Sequence, residues 1–132
     1  MERQFINPEG LRRPGAYTPV VTVRGGKLIH VSGQVAVDER GQLVGGNDLK
    51  AQTEQVFRNL ELALKGAGAT FRDVVKINTY VVNYKPEHRA TMHELRARYF
   101  SKENPPASTL VGVQSLALAD YLVEIEAVAV TD

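Results

Sequence analysis

The sequence predicts an α+β fold, one domain in which two helices cover one face of a mixed sheet, and three observations carry that expectation. The chain has 132 residues, enough for one domain with a real core and too few for two, and no repeat, linker or low-complexity stretch divides it. The hydrophobic period switches repeatedly between that of a strand and that of a helix, in the order β-β-α-β-α-β-β. The last segment, Val123 to Val130, is apolar on alternate positions and half apolar on the others, as befits a strand inside a sheet.

Each element follows from its residues. Thr18 to Arg24 and Leu28 to Ser32 are short β-branched runs separated by Gly25-Gly26, a pair that tolerates positive φ and so reads as a hairpin turn. Asp38 to Asn47 is a polar, glycine-rich loop. Leu49, Val56, Leu60, Ala63, Leu64 and Ala67 then fall at helical spacing, with Asn47 or Asp48 as the cap and Gly66 or Gly68 as the stop. Asp73 to Val82 alternates as a strand. Pro86 opens a second helix with the stripe His88, Met92, Leu95 and Tyr99, ending near Phe100. Asn104-Pro105-Pro106 makes the turn into the last two strands.

Counting faces predicts assembly. Two helices cover only one side of a five- or six-stranded sheet, yet Val123, Ile125, Ala127 and Ala129 lie on one face and Leu122, Val128 and Val130 on the other. The second face would leave apolar surface in water, so a homo-oligomer is expected, with ligand clefts between subunits.

Composition excludes several classes. Sixteen Lys and Arg balance fifteen Asp and Glu for a net charge of +1, with no block of one sign, so neither nucleic acid nor membrane is an expected partner. No stretch approaches the roughly 18 apolar residues of a membrane span, and Met1 to Phe5 has no basic, then apolar, leader. A cytoplasmic protein is expected. The chain has no cysteine, which removes thiol nucleophiles, disulfides and thiolate metal sites. His88 and His93 lie about 140° apart on a helix of ~100° per residue, and His30 has no neighbouring ligand pattern. No metal and no cofactor are expected. The glycine pairs do not have the order of a phosphate loop, and neither Ser32 nor Ser108 sits in G-x-S-x-G.

The most informative stretch is Asn104-Pro-Pro-Ala-Ser-Thr-Leu-Val-Gly-Val113 followed by Tyr121-Leu-Val-Glu-Ile-Glu-Ala-Val-Ala-Val130. It reads as a turn and two strands that bring the hydroxyls of Ser108 and Thr109 and the carboxylates of Glu124 and Glu126 into one small region. On residue chemistry alone two readings stay open. The hydroxyls equally well begin a strand after two prolines, and Glu124 and Glu126, at i and i+2, read more simply as a solvated or interface-paired face than as a site.

Gly15-Ala-Tyr17, Val31-Ser-Gly-Gln34, the helix from Ala51 to Gly68, Pro106-Ala107 and Glu124-Ile-Glu-Ala-Val-Ala-Val130 together resemble the Rid family. These are the reactive-intermediate deaminases, also called YjgF-like or chorismate-mutase-like proteins; older names include endoribonuclease L-PSP and translation inhibitor. The resemblance spans nearly the whole chain. It implies a homotrimer with three intersubunit clefts, which in the best-known branch hydrolyse 2-imino acids to 2-keto acids and ammonia.

Such a site must hold a carboxylate, aim water at an imine carbon and let nitrogen leave protonated. By the resemblance Glu124 matches the water-orienting glutamate, Tyr17 the cleft tyrosine and Ser32 the cleft serine. Ser108 stands where deaminases have the arginine that grips the carboxylate, and His93 where they often have asparagine. Arg89 and Arg96, four residues before and three after His93, share its helix face and are the candidate replacement cations. Two classes therefore remain. One is a metal-free hydrolase of imines, enamines or related small metabolites, using Glu124, Tyr17, Ser32, His93, Ser108 and Thr109. The other is a non-catalytic module that binds a small metabolite or stabilises a partner protein. An endoribonuclease or translation inhibitor ranks below both, because the histidines are scattered and no basic phosphate track is evident.

Overall fold

The strand with the plainest alternation, Val123–Thr131, lies inside the main sheet. In the computed structural model, which describes residues 1–132, six strands and two α-helices follow one another, with a short 3-10 turn at Phe71–Asp73 between the first helix and the fourth strand. They are β1 (Glu2–Ile6), β2 (Val20–Arg24), β3 (Lys27–Gln34), α1 (Leu49–Gly66), β4 (Val74–Val82), α2 (His88–Ala97), β5 (Ala107–Val113) and β6 (Val123–Thr131). The order in the main sheet is β3-β6-β4-β5. β6 is antiparallel to both neighbours, and β4 and β5, joined through α2, are parallel. The α+β class with two helices and a mixed sheet is as expected.

Burial explains the register. Val123, Ile125, Ala127 and Ala129 of β6 and Ile77 and Val81 of β4 are buried beneath the helices. From above, α1 contributes Val56, Phe57, Leu60 and Leu64, and α2 contributes Met92 and Leu95. Full burial of a side chain such as Phe57 or Leu60 contributes about 1.5–3 kcal/mol. Phe57 stacks on Tyr99 with centroids 4.5 Å apart, which ties α1 to the end of α2. Asp48 caps α1 by accepting from the backbone N–H of Lys50 at 3.0 Å and Ala51 at 3.4 Å. The helix stops where Gly68 takes φ +77°, a conformation that favours glycine.

The structure corrects four expectations. An N-terminal strand, β1, precedes those read from the sequence. Gly25 and Gly26 do form the turn, with φ +76° and +91°, but not a hairpin: β2 ladders with β1 and β3 with β6. A two-residue turn fixes only its immediate surroundings, whereas burial of Ile29 and Val31 under α1 decides where β3 pairs. The result is a four-stranded sheet plus a two-stranded one, not a single sheet of five or six. Finally, α2 opens at His88 with Glu87 as its N-cap, and Pro86 lies in the turn before it.

The sheet face away from the helices is less uniformly apolar than expected. Leu28 and Val111 stand 60% and 40% exposed on it, but Glu124, Glu126, Tyr80 and Asn78 occupy its middle. Val130 is already buried, where Met1 and Gly26 close over the strand end. No helix is long and apolar enough to cross a membrane.

Candidate functional site

Helix α2 carries a second stripe beside its core-facing one. Arg89, His93, Arg96, Ala97 and Phe100 follow one another by 4, 3, 1 and 3 residues, spacing that places them on one side of the helix and the turn that continues it. That side looks onto Gly15-Ala16-Tyr17 and onto Ser108 of the edge strand β5, and a cleft of about 500 Å³ lies between them. Arg12 and Tyr84 complete its walls.

Three arginines meet here without a counter-charge. Arg12, Arg89 and Arg96 line the cleft together with His93, and no Asp or Glu does. The ion pairs of the chain lie elsewhere, at Met1–Asp132, Arg3–Asp73 and Arg98 with Glu54 and Glu94. Arg96 is the most constrained of the three. Its Nη2 donates to the carbonyl of Ala16 at 3.2 Å, its guanidinium stands 5.8 Å from the Phe100 ring centroid, and its buried Nε has no partner. Burial pushes its pKa below the usual arginine range, the direction expected when a cation loses solvent without gaining an anion. An incoming carboxylate would supply what this guanidinium lacks. Tyr17 is joined to the group by a 3.5 Å contact from Arg12 Nη2 to its hydroxyl.

The carboxylates sit on the other side of the sheet. Glu126 accepts from Tyr80 OH at 2.6 Å and from Asn78 Nδ2 at 3.0 Å. The Tyr80 bond, then the Asn78 bond, hold its pKa below the ordinary carboxylate range. Tyr80 moves the opposite way, raised mainly by the same hydrogen bond and then by burial and by the charges of Glu126 and Glu124. Glu124 is half-buried in register with Tyr80 and lies over Gly33 of β3, where a Cβ would stand 2.7 Å from its Cδ. Thr109 Oγ1 accepts from Lys76 Nζ at 2.9 Å.

The residues named from the sequence therefore fall into two groups. Tyr17, His93 and Ser108 converge with Arg89 and Arg96 in the cleft. Glu124 lies on the open face with Ser32, which is exposed just before Gly33. Thr109 reaches the cleft's edge while its hydroxyl binds Lys76. The single region expected for Ser108, Thr109, Glu124 and Glu126 is thus two regions, because β4 lies between β5 and β6 and consecutive strand residues point to opposite faces. His88 accepts from the Lys85 N–H at 3.0 Å through Nδ1, and His30 is exposed on β3. No three His, Cys, Asp or Glu side chains cluster as metal ligands would.

Sequence reasoning missed Arg12, Tyr84, Tyr80 and Asn78. His93 came from the family resemblance, and the helical spacing of Arg89 and Arg96 from it made those two recoverable. Tyr80 and Asn78 needed the strand order, which places β4 against β6.

The chain is similar to known proteins along its whole length. A family model described as Endoribonuclease L-PSP matches residues 10–131. A RutC family protein of Pyrococcus abyssi is 37% identical over 131 residues, 98% of each chain. The 3-aminoacrylate deaminase RutC of Acinetobacter baylyi is 31% identical over 130 residues, again 98% of each. The crystal structure of YyfB, a Rid family protein from Yersinia pestis, superposes with a TM-score of 0.90 at 43% identity, covering 99% of this chain and 100% of that one.

Proposed function

Since this chain belongs to the endoribonuclease L-PSP family, the Rid or YjgF-like proteins, we propose that it forms a homotrimer whose intersubunit clefts hydrolyse imines or enamines of small organic acids. The observation that carries this reading is the cleft of Arg12, Arg89, Arg96, His93, Tyr17 and Ser108, cationic and without a carboxylate. A neutral ligand would leave those charges uncompensated, whereas a carboxylate pairs with a guanidinium fork through charge-assisted bonds. Arg89 and Arg96 take over the grip that Ser108 cannot supply.

Glu124 of a second copy, with Ser32 beside it, faces this cleft across the interface and orients the attacking water. Water adds to the imine carbon, the carbinolamine collapses, and nitrogen leaves as ammonia with a 2-keto acid as the other product. Atoms balance as one imino acid and one water in, one keto acid and one ammonia out. No metal or cofactor enters. The deaminase named among the relatives, which acts in its own name on 3-aminoacrylate, supports the reaction class. Tyr17, His93 and Thr109 shape the pocket around the substrate.

The test is the rate of ammonia and keto-acid formation from 2-iminopropionate and 2-iminobutyrate, generated in place by an amino-acid oxidase and compared with the enzyme-free rate. The reading expects acceleration that Glu124→Gln lowers by about 10²-fold or more, the range for a lost general acid–base group. No acceleration, with carboxylate binding intact, would leave the chain as a metabolite-binding module.

A further inference from the structure

Beyond Arg96 the cleft continues into a second hollow of about 420 Å³. Gly15, Ala16, His93 and Arg96 line both spaces, so the two form one groove with Arg96 at the divide. Their walls differ in chemistry. On the Ser108 side the lining brings Arg12, Arg89, Tyr17 and Tyr84. On the far side it brings Ala97 and Phe100, with only Ser101 and Lys102 as polar additions.

The far hollow exists because its walls are small. Gly15, Ala16 and Ala97 project nothing beyond Cβ, so apolar wall and backbone remain open between α2 and the Gly15-Ala16 segment. Phe100 is held in place from behind, edge-on to Phe71 with centroids 5.5 Å apart and to Phe57 at 6.4 Å. A rigid apolar wall beside a fixed cation is the arrangement that binds an amphipathic acid, head on the charge and tail on the wall.

We infer that the far hollow is a subsite for the substrate's side chain, and that the groove selects organic acids carrying an unbranched apolar chain of several carbons over the shortest ones. The inference rests on the reading of the arginine cleft as the site for the acid group. The head sits among Arg12, Arg89 and Arg96, and the chain passes Arg96 to lie along Ala16, Ala97 and Phe100. Each methylene buried there strengthens binding about fourfold, until the hollow is full.

Calorimetric titration with the straight-chain 2-keto acids from pyruvate to 2-ketooctanoate, products of the proposed reaction, tests this directly. Wild type is expected to show Kd falling about three- to fourfold per added carbon over the first few members. Ala97 is exposed, helical and lines only the far hollow, so Ala97→Leu fills it at a position a helix tolerates. Ala97→Met is the second filling variant. Both should bind pyruvate as wild type does and bind longer acids no better than pyruvate. A flat wild-type series, or filled variants that keep the slope, overturns the subsite alone. Arg89→Gln reads the head independently: it should weaken every member by a common factor, and a slope that survives with no effect of Arg89→Gln overturns the acid-group reading instead. If no acid binds at all, both fall.

Discussion

Ser108 and Glu124 lie on opposite faces of the same sheet. Ser108 registers with Ile77, whose side chain is buried beneath the helices, and Glu124 registers with Tyr80 on the face the helices leave bare. With β4 standing between their strands, the two side chains leave the sheet on opposite sides, two strands apart. That separation is why the proposed site, which uses the arginine cleft and Glu124 together, takes them from two copies.

Gly33 is where Glu124 gets its room. No positive φ requires glycine there, so the barrier to a larger residue is the Glu124 side chain, 2.7 Å from where a Cβ would stand. Gly33→Ala should cost about 1–3 kcal/mol by overpacking and depress hydrolysis at least tenfold by displacing the carboxylate. In a Glu124→Ala background the same substitution should cost under about 0.5 kcal/mol, the scale of an ordinary surface change. Denaturant unfolding of the four chains of this double-mutant cycle checks it.

The Tyr80–Glu126 bond gives stability a defined pH window. Glu126 has its pKa lowered on folding from the ordinary 4.5. Its contribution is therefore present above about that pH and lost as pH falls through the folded value. Tyr80 has its pKa raised from 10.0, so its contribution is present below about 10 and lost as pH rises through the folded value. Tyr80→Phe should destabilise by about 1.5 kcal/mol at neutral pH, the lower end for a hydrogen bond to a charged group since both partners are only partly buried. The difference from wild type should shrink below pH 4, as urea melts at pH 7 and pH 3 would show. An unchanged difference at the two pH values would assign Tyr80 a packing role.

Gln52 stitches α1 to the loop that leads into β6. Fully buried, it donates to the carbonyls of Gly46 and Asp120 at 2.7 and 2.9 Å and accepts from the Leu122 N–H at 3.0 Å. Gln52→Leu keeps the volume and strands three backbone groups, each worth about 1–3 kcal/mol when buried unsatisfied. The expected loss is about 3–5 kcal/mol by thermal or urea melts. Because Leu122 directly precedes β6, the variant should also lose ligand affinity at temperatures where it remains folded.

How much of this the sequence held depends on range. The existence of the two helices, the cap at Asp48, one of the two positions offered, and the alternating strands β4 and β6 rest on local spacing, and all are present. The second helix starts at His88, two residues after the Pro86 expected to open it. β1 went unread because five residues with polar Glu2, Arg3 and Gln4 among them carry too short a pattern to separate from loop. The Gly25-Gly26 turn was legible while its consequence was not, since β3 pairs with β6, a hundred residues later in the chain. The site was legible in the same uneven way. Tyr17, His93, Ser108 and the helix arginines were named and do converge, but the division between cleft and carboxylate face depends on β4 lying between β5 and β6, which no local signal encodes.

Subunit complementation tests the central claim most directly. Glu124→Gln and Arg89→Gln/Arg96→Gln should each abolish imino-acid hydrolysis by a homogeneous assembly. When the two are mixed, dissociated in denaturant and refolded together, about a quarter of the interfaces in randomly mixed oligomers join an intact arginine cleft to an intact Glu124. The account predicts recovery to roughly that fraction of wild-type activity, while each variant refolded alone stays at background. A mixture that also stays at background, from oligomers shown to have exchanged subunits, would contradict a site shared between copies.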